Sequence, residues 1–251
     1  MSNSDAVNGR RFAGDNVAIT GGTSGIGLAL VDAFLAEGAS VLTCARSPDS
    51  LAAIQQDRPG LHTVVADVTQ PEGRSAFLNA IHTHFGDLDI FVSNAGLLVE
   101  HDFARHEVSD NELASEFSLN LVAPVQLTAS VLAQFERIKA ITLVSSGYAL
   151  VTPTRSPTYG AAKAGLHGFA EGLRRQLSER QIHVLEVLPP LVDTPATAHR
   201  SAAKISPESV AAETLSSLHA RRPMALVGQT KWLPLLLRVM PARIADIVSK
   251  T

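Results

Sequence analysis

The chain has almost no cysteine. Cys44 stands alone among 251 residues, which excludes an intramolecular disulfide and a cysteine-based metal cluster. Aromatic residues make up only 5%, and tryptophan occurs once. No charge of one sign dominates: a net charge of −3 gives no electrostatic reason to expect a nucleic-acid partner. No uncharged apolar run reaches membrane-spanning length, so no integral membrane segment is expected. Residues 1–14, MSNSDAVNGRRFAG, lack the apolar stretch of a secretory signal and read as a disordered tail. These absences lead to the expectation of a soluble, cytoplasmic protein. No metal-ligand spacing is found, and His82, His84, His101 and His106 read as solvated surface residues.

Apolar residues, at 45%, are present in sufficient number for a sizeable core, and charged residues make up 18%. Short β-branched runs at 16–20, 40–45, 62–66, 88–93, 140–145, 183–188 and 224–228 alternate with segments of helical length. Most of these runs are near-continuously apolar, as strands buried on both faces of a parallel sheet are. There is no low-complexity linker and no break in composition. The reading is one α/β domain over 15–251: a Rossmann-type, doubly wound, parallel seven-stranded sheet with helices on both faces.

The first run leads directly into TGGTSGIG (20–27) and then into a helical pattern. Gly21 suits the tight strand-to-helix turn, Gly25 lets backbone approach a pyrophosphate, and Gly27 lets the helix pack on the strand. Thr23, Ser24 and Ile26 complete the turn. The helix start then offers N–H groups and the positive end of its dipole to an anion.

A second motif is PTYGAAKAG (157–165). On a helix, Tyr159 and Lys163 share one face, and Pro157 suits the first turn. A phenol titrates near ~10, and a neighbouring ammonium is expected to lower that value. Ser146 stands just past an apolar run, where strand ends border a ligand crevice. Asn120 precedes Pro124 by four residues. Proline has no N–H, so a helix through this point leaves the Asn120 carbonyl without its i+4 donor and open to water.

The spacing T-G-x-x-x-G-x-G, followed by ADVT (66–69), SNAG (93–96), Asn120, Ser146 in LVSSG, the Tyr159/Lys163 pair and PPLVDT (189–194), is similar to the short-chain dehydrogenase/reductase superfamily in its compact single-domain branch. The resemblance implies a hydride exchange with a nicotinamide cofactor. Ser146 would hold the substrate oxygen and Tyr159 would pass it a proton. Lys163 would also touch the nicotinamide ribose, and the Asn120 carbonyl would hold a water in a proton relay. Asp67 and Val68 would meet the adenine, Asn94, Ala95 and Gly96 would line the cleft, and Val192 and Thr194 would meet the carboxamide. Relatives carry Pro-Gly where this chain has Pro189-Pro190, so this loop is expected to enter differently.

Ala45 stands where relatives that prefer NAD carry Asp, and Arg46 follows it. A guanidinium pairs with a 2′-phosphate, which favours NADP(H) over NAD(H), although Asp49 is close in sequence. The segments 96–100, 147–151 and 191–200 are mostly apolar and lie where a pocket is expected, which suits a hydrophobic carbonyl compound or alcohol as small-molecule substrate. Tyr148 and His199 could reach it. Two alternatives stay open: an NAD(H)-dependent alcohol dehydrogenase, and an NADP(H)-sensing protein without catalysis. The resemblance also implies a homodimer or homotetramer. The apolar segment 231–250, broken by Pro234 and Pro241 and carrying several charges, is open to a membrane surface, a second subunit or its own domain.

Overall fold

The computed structural model describes residues 10–250. Its strands are β1 (Asn16–Thr20), β2 (Ser40–Ala45), β3 (Leu61–Val65), β4 (Ile90–Ser93), β5 (Ala140–Val144), β6 (His183–Leu188) and β7 (Met224–Leu226). All pair in parallel, in the order β3-β2-β1-β4-β5-β6-β7. The expected seven-stranded, doubly wound sheet is therefore present, with strand ends shifted by a residue or two. The chain winds outward from β1 to β3 and then returns to place β4 on the other side of β1. That reversal opens a crevice at the carboxyl ends of β1 and β4.

The helices are α1 (Gly25–Ala36), α2 (Pro48–Gln55), α3 (Pro71–Phe85), α4 (Asp110–Phe117), α5 (Ala123–Gln134), α6 (Pro157–Gln176), α7 (Pro207–His219), α8 (Leu233–Val239) and α9 (Pro241–Ser249). Strand alternation divides the core into two layers. Val17 and Ile19 point to the layer holding Leu30, Phe34, Val210 and Leu215 of α1 and α7. Ala18 points to the other layer, with Phe77, Leu127, Val131 and Leu166 of α3, α5 and α6. The helical run Asp110–Gln134 has the length and hydropathy of a membrane span. Here it is a core helix: Ala123, Leu127 and Val131 are buried against the sheet.

The disorder expected over 1–14 does not hold for Arg11 and Phe12. Phe12 is buried and meets Phe34 edge-on at 5.1 Å, and Arg11 forms an ion pair with Glu37. One aromatic ring with a pocket to fill is enough to anchor a segment that is otherwise polar. Residues 1–9 of that tail lie outside the described residues.

The turn after β1 is tied to β2 by a buried hydroxyl. Thr43 Oγ1 accepts from the Gly22 N–H at 3.0 Å and donates to the Ile19 carbonyl at 2.8 Å. Thr43→Val keeps the shape and strands both partners. The expected cost is about 1–3 kcal/mol, read as a lower urea midpoint with an unchanged slope.

Candidate active site

A cleft of about 780 Å³ lies over the carboxyl ends of the central strands. Every catalytic and cofactor-binding residue expected from the sequence lines it except Asn120, which sits behind the wall and is fully buried. Gly21 (φ +70°) and Gly25 (φ +52°) occupy the left-handed region that favours glycine. A Cβ on Gly27 would lie 2.0 Å from the Gly21 carbonyl and 2.5 Å from Asn94 Nδ2, so α1 approaches the turn as closely as backbone allows. Ser24 begins α1 without a side-chain capping bond, and no acid stands in the first turn. The donors at this helix start are therefore available to an anion. These residues fit the pyrophosphate of a dinucleotide.

Asn94 has a more local task than lining alone. Its Nδ2 donates to the carbonyls of Thr20 (2.9 Å) and Gly21 (3.1 Å), while the Thr20 hydroxyl accepts from the Asn94 and Ala95 N–H groups at 3.0 Å each. The ends of β1 and β4 are thereby clamped around the turn. Thr20, the first residue of the turn motif, is the other half of that clamp.

Arg46 is exposed at the rim just past β2, and Ala45 brings no acid beside it. Burial acts to raise the Asp67 carboxyl, but the hydroxyl and N–H of Thr69 and the positive charge of Arg46 hold it below its usual value. Arg46 is thus the cation of this rim. Asp49 lies in the first turn of α2.

Ser146 follows β5, and its hydroxyl accepts from the Tyr148 N–H at 3.1 Å and bonds the Tyr159 phenol. Its neighbour Ser145 points back to the Lys163 carbonyl. Tyr159 and Lys163 share one face of α6, as their spacing requires, and Pro157 opens that helix. The Lys163 ammonium is 5.7 Å from the Tyr159 ring centroid and donates to the Val144 carbonyl at 2.9 Å. The expectation that the ammonium lowers the phenol does not hold. Burial pushes Tyr159 up to about 12, outweighing the Ser146 hydrogen bond that works to lower it. Burial also brings Lys163 down to about 8, against the charge of Glu186. Desolvation penalises both charged forms, so it moves the two groups in opposite directions.

Asn120 lies in a π-helical turn, Ser118–Val122, between α4 and α5. Such turns accompany functional sites, and Pro124 supplies no N–H there. The Asn120 side chain binds both backbone groups of Leu97: Oδ1 accepts from the N–H at 3.1 Å and Nδ2 donates to the carbonyl at 2.7 Å. A Cβ on Gly96 would lie 3.0 Å from Asn120 Oδ1 and 3.6 Å from Lys163 Nζ. Gly96 is therefore the spacer between the two.

Two buried polar groups escaped the sequence. His101, expected on the surface, has a side chain only 6% exposed and bonds Glu116 at 3.1 Å. Glu116 also accepts from the Thr158 hydroxyl at 2.6 Å, one residue before Tyr159. Glu116 is the one buried residue of α4, and a buried acid needs such partners. The second group is Arg200, whose side chain is 4% exposed. Its guanidinium joins Glu100 (2.6 Å), Ser156 (3.3 Å) and the Tyr148 hydroxyl (3.4 Å), drawing three loops together. The Tyr148 ring stands edge-on to Tyr159 at 6.4 Å. His199 lies outside the cleft lining, 3.7 Å from Glu100.

The loop after β6 closes on itself. Val192 bridges to Ile205, and Thr194 packs over Gly25. The Pro189 carbonyl accepts from the Gly147 N–H at 2.9 Å, so the Pro189-Pro190 entry holds the turn after Ser146.

Two measurements check these assignments. An absorbance titration of the ligand-free protein, read by rapid pH jump, is expected to show a tyrosine that stays protonated until about pH 12. Tyr159→Phe is expected to remove that late component. Arg200→Met leaves Glu100 and Ser156 without their donor; about 1–3 kcal/mol is the expected loss, seen as a lower melting temperature. Turnover is expected to fall more than cofactor affinity does, because Arg200 holds Tyr148 and not the glycine turn.

Comparison with known proteins agrees with this geometry. The family described as short chain dehydrogenase matches residues 15–205. The chain is 37% identical over 188 residues to the uncharacterized oxidoreductase DltE of Bacillus subtilis, covering 73% of this chain and 74% of that protein. It is 30% identical over 190 residues to the 3-oxoacyl-(acyl-carrier-protein) reductase FabG of Escherichia coli, covering 74% and 77%. Among solved structures, a short chain dehydrogenase from Burkholderia cenocepacia in complex with NADP superposes with a TM-score of 0.84 at 21% identity, covering 94% of this chain and 98% of that one. One from Burkholderia phymatum in complex with NAD gives 0.78 at 22%, covering 94% and 95%. These two show the shared fold. The chain belongs to the short-chain dehydrogenase family of oxidoreductases.

Proposed function

We propose that the protein is an NADP(H)-dependent oxidoreductase that reduces a ketone or aldehyde group on an apolar small molecule. The observation that carries this reading is that Ser146, Tyr159 and Lys163 share one cleft with the glycine turn and with Arg46. A bound nicotinamide dinucleotide supplies or receives the hydride. The residues do the rest. The Ser146 hydroxyl orients the carbonyl oxygen. Tyr159, kept protonated by burial, gives that oxygen a proton in reduction. Lys163 holds a positive charge behind it. Leu97, Leu98 and Leu191 furnish apolar walls that suit an apolar substrate and keep water away.

The preference for NADP(H) rests on Arg46 and on the absence of an acid at Ala45. The test follows NADPH oxidation by absorbance against aldehydes, ketones, quinones and 3-oxoacyl thioesters, the last because one relative is named for that class. NADH is run in parallel. Tyr159→Phe is expected to lower turnover by at least about a hundredfold. Arg46→Asp is expected to weaken the NADPH preference by about tenfold to a hundredfold. Equal or better turnover with NADH overturns the cofactor choice. Tight NADPH binding without turnover on any carbonyl overturns the enzyme reading in favour of a sensor.

A further inference from the structure

The surface of the last twenty residues differs from the rest. Nine large apolar side chains stand exposed among the described residues, and five of them fall between 232 and 247. Trp232, the sole tryptophan, is 66% exposed and Val239 is 65% exposed; Leu235, Met240 and Ile247 are the others. Helix α8 buries none of its residues, and α9 buries only Ile244. Trp232, Leu235 and Val239 are spaced i, i+3, i+7 and so lie along one side of the α8 segment. Packing on its own domain, one of the three options the sequence left open, is met by Ile244 and by Leu233, which lies against Gly147. It leaves the outer side of both helices bare.

The charge of this segment is mainly positive. Residues 231–250 carry Lys231, Arg238, Arg243 and Lys250 against Asp246 alone, in a chain whose net charge is −3. Lys231 pairs with Glu213 and Lys250 with Asp246. Arg238 and Arg243 have no ion-pair partner among the described residues, and both are exposed. Arginine pairs with phosphate oxygens, and a tryptophan beside cations is the composition of the water–lipid boundary. A second copy of the chain, related by a two-fold axis through this patch, would bring unpaired arginines toward unpaired arginines. An anionic lipid surface satisfies the apolar side chains and the arginines together.

We infer that residues 231–250 seat the protein on an anionic membrane surface, with Trp232, Leu235, Val239 and Ile247 entering the acyl boundary and Arg238 and Arg243 pairing lipid phosphates. The seat begins beside the catalytic end: a Cβ on Gly147, the residue after Ser146, would lie 2.9 Å from Thr230 Cγ2 and 3.7 Å from Leu233 Cδ2. Where the carbonyl-reductase reading also holds, an apolar substrate has a short path from the bilayer. The membrane seat itself does not depend on that reading.

The full chain is mixed with vesicles of phosphatidylcholine and phosphatidylglycerol, or of phosphatidylcholine alone, and binding is followed by flotation and by the fluorescence of the single tryptophan. The expected result is flotation with the anionic vesicles and a blue shift of Trp232. Arg238→Gln with Arg243→Gln is expected to weaken binding by about thirtyfold. Leu235→Ser with Val239→Ser is expected to abolish it, with the melting temperature unchanged because those side chains are exposed. The inference is overturned if neither vesicle is bound at low salt, or if both double variants bind as the parent does. It is also overturned if the blue shift needs only protein concentration and the double serine variant dissociates an oligomer by light scattering; the patch would then be covered by a second copy. None of these readouts requires turnover, so failure of the proposed reaction leaves the result intact.

Discussion

An ammonium with only 3% exposure must find acceptors held in place for it, and Lys163 finds one in the carbonyl of Val144. Burying an unpaired cation costs several kcal/mol even after relaxation, so the surroundings are fixed closely. Strand β5 ends at Val144 and passes directly into Ser145 and Ser146. The strand end that receives the ammonium therefore also sets the Ser146 hydroxyl. On the other side, Gly96 leaves room between Lys163 and Asn120, and Asn120 holds Leu97 by both of its backbone groups. Three segments distant in sequence meet at one nitrogen.

The local reading of Tyr159 and Lys163 shows where spacing stops being informative. Four residues on a helix place the two side chains on one face, and α6 does so. Spacing counts neighbours but not lost water. Once the phenol is enclosed, desolvation outweighs the Ser146 hydrogen bond, and the pair sits with values near 12 and 8, further apart than the unperturbed values would suggest. This arrangement suits proton donation at neutral pH. Removing a proton from an alcohol needs the phenolate, so the oxidative direction demands additional positive charge near Tyr159. The Arg200 guanidinium already acts to lower that phenol and does not by itself offset its burial.

Much of the fold was legible because it is periodic and local. The seven apolar runs, the glycine turn and the Ser146–Tyr159–Lys163 set are each readable within one element or one turn. The unread parts are made by distance along the chain. Thr43 reaches a turn 21 residues earlier, Glu116 bonds a hydroxyl 42 residues later, and Arg200 pairs with an acid 100 residues before it. None of these partners has a spacing to recognise. What each does show in sequence is incongruity: a threonine amid apolar β2, an acid facing inward from α4, an arginine at the end of an apolar loop. His101 was misjudged for the same reason, since only the fold brings Glu116 to it.

The turn after Ser146 is held from two sides that do not touch each other in sequence. From the loop after β6, Arg200 bonds the Tyr148 hydroxyl, and Tyr148 in turn gives its N–H to the Ser146 oxygen. From the C-terminal segment, Thr230 and Leu233 press on Gly147, while the Thr230 hydroxyl is itself fixed to the carbonyl of Leu188 at 2.7 Å. The Pro189 carbonyl completes the hold through the Gly147 N–H. The rigid prolines at 189 and 190 are therefore placed where rigidity has a use: they fix the acceptor that positions this turn. Motion of α8 must either carry Gly147 with it or break the contact between them.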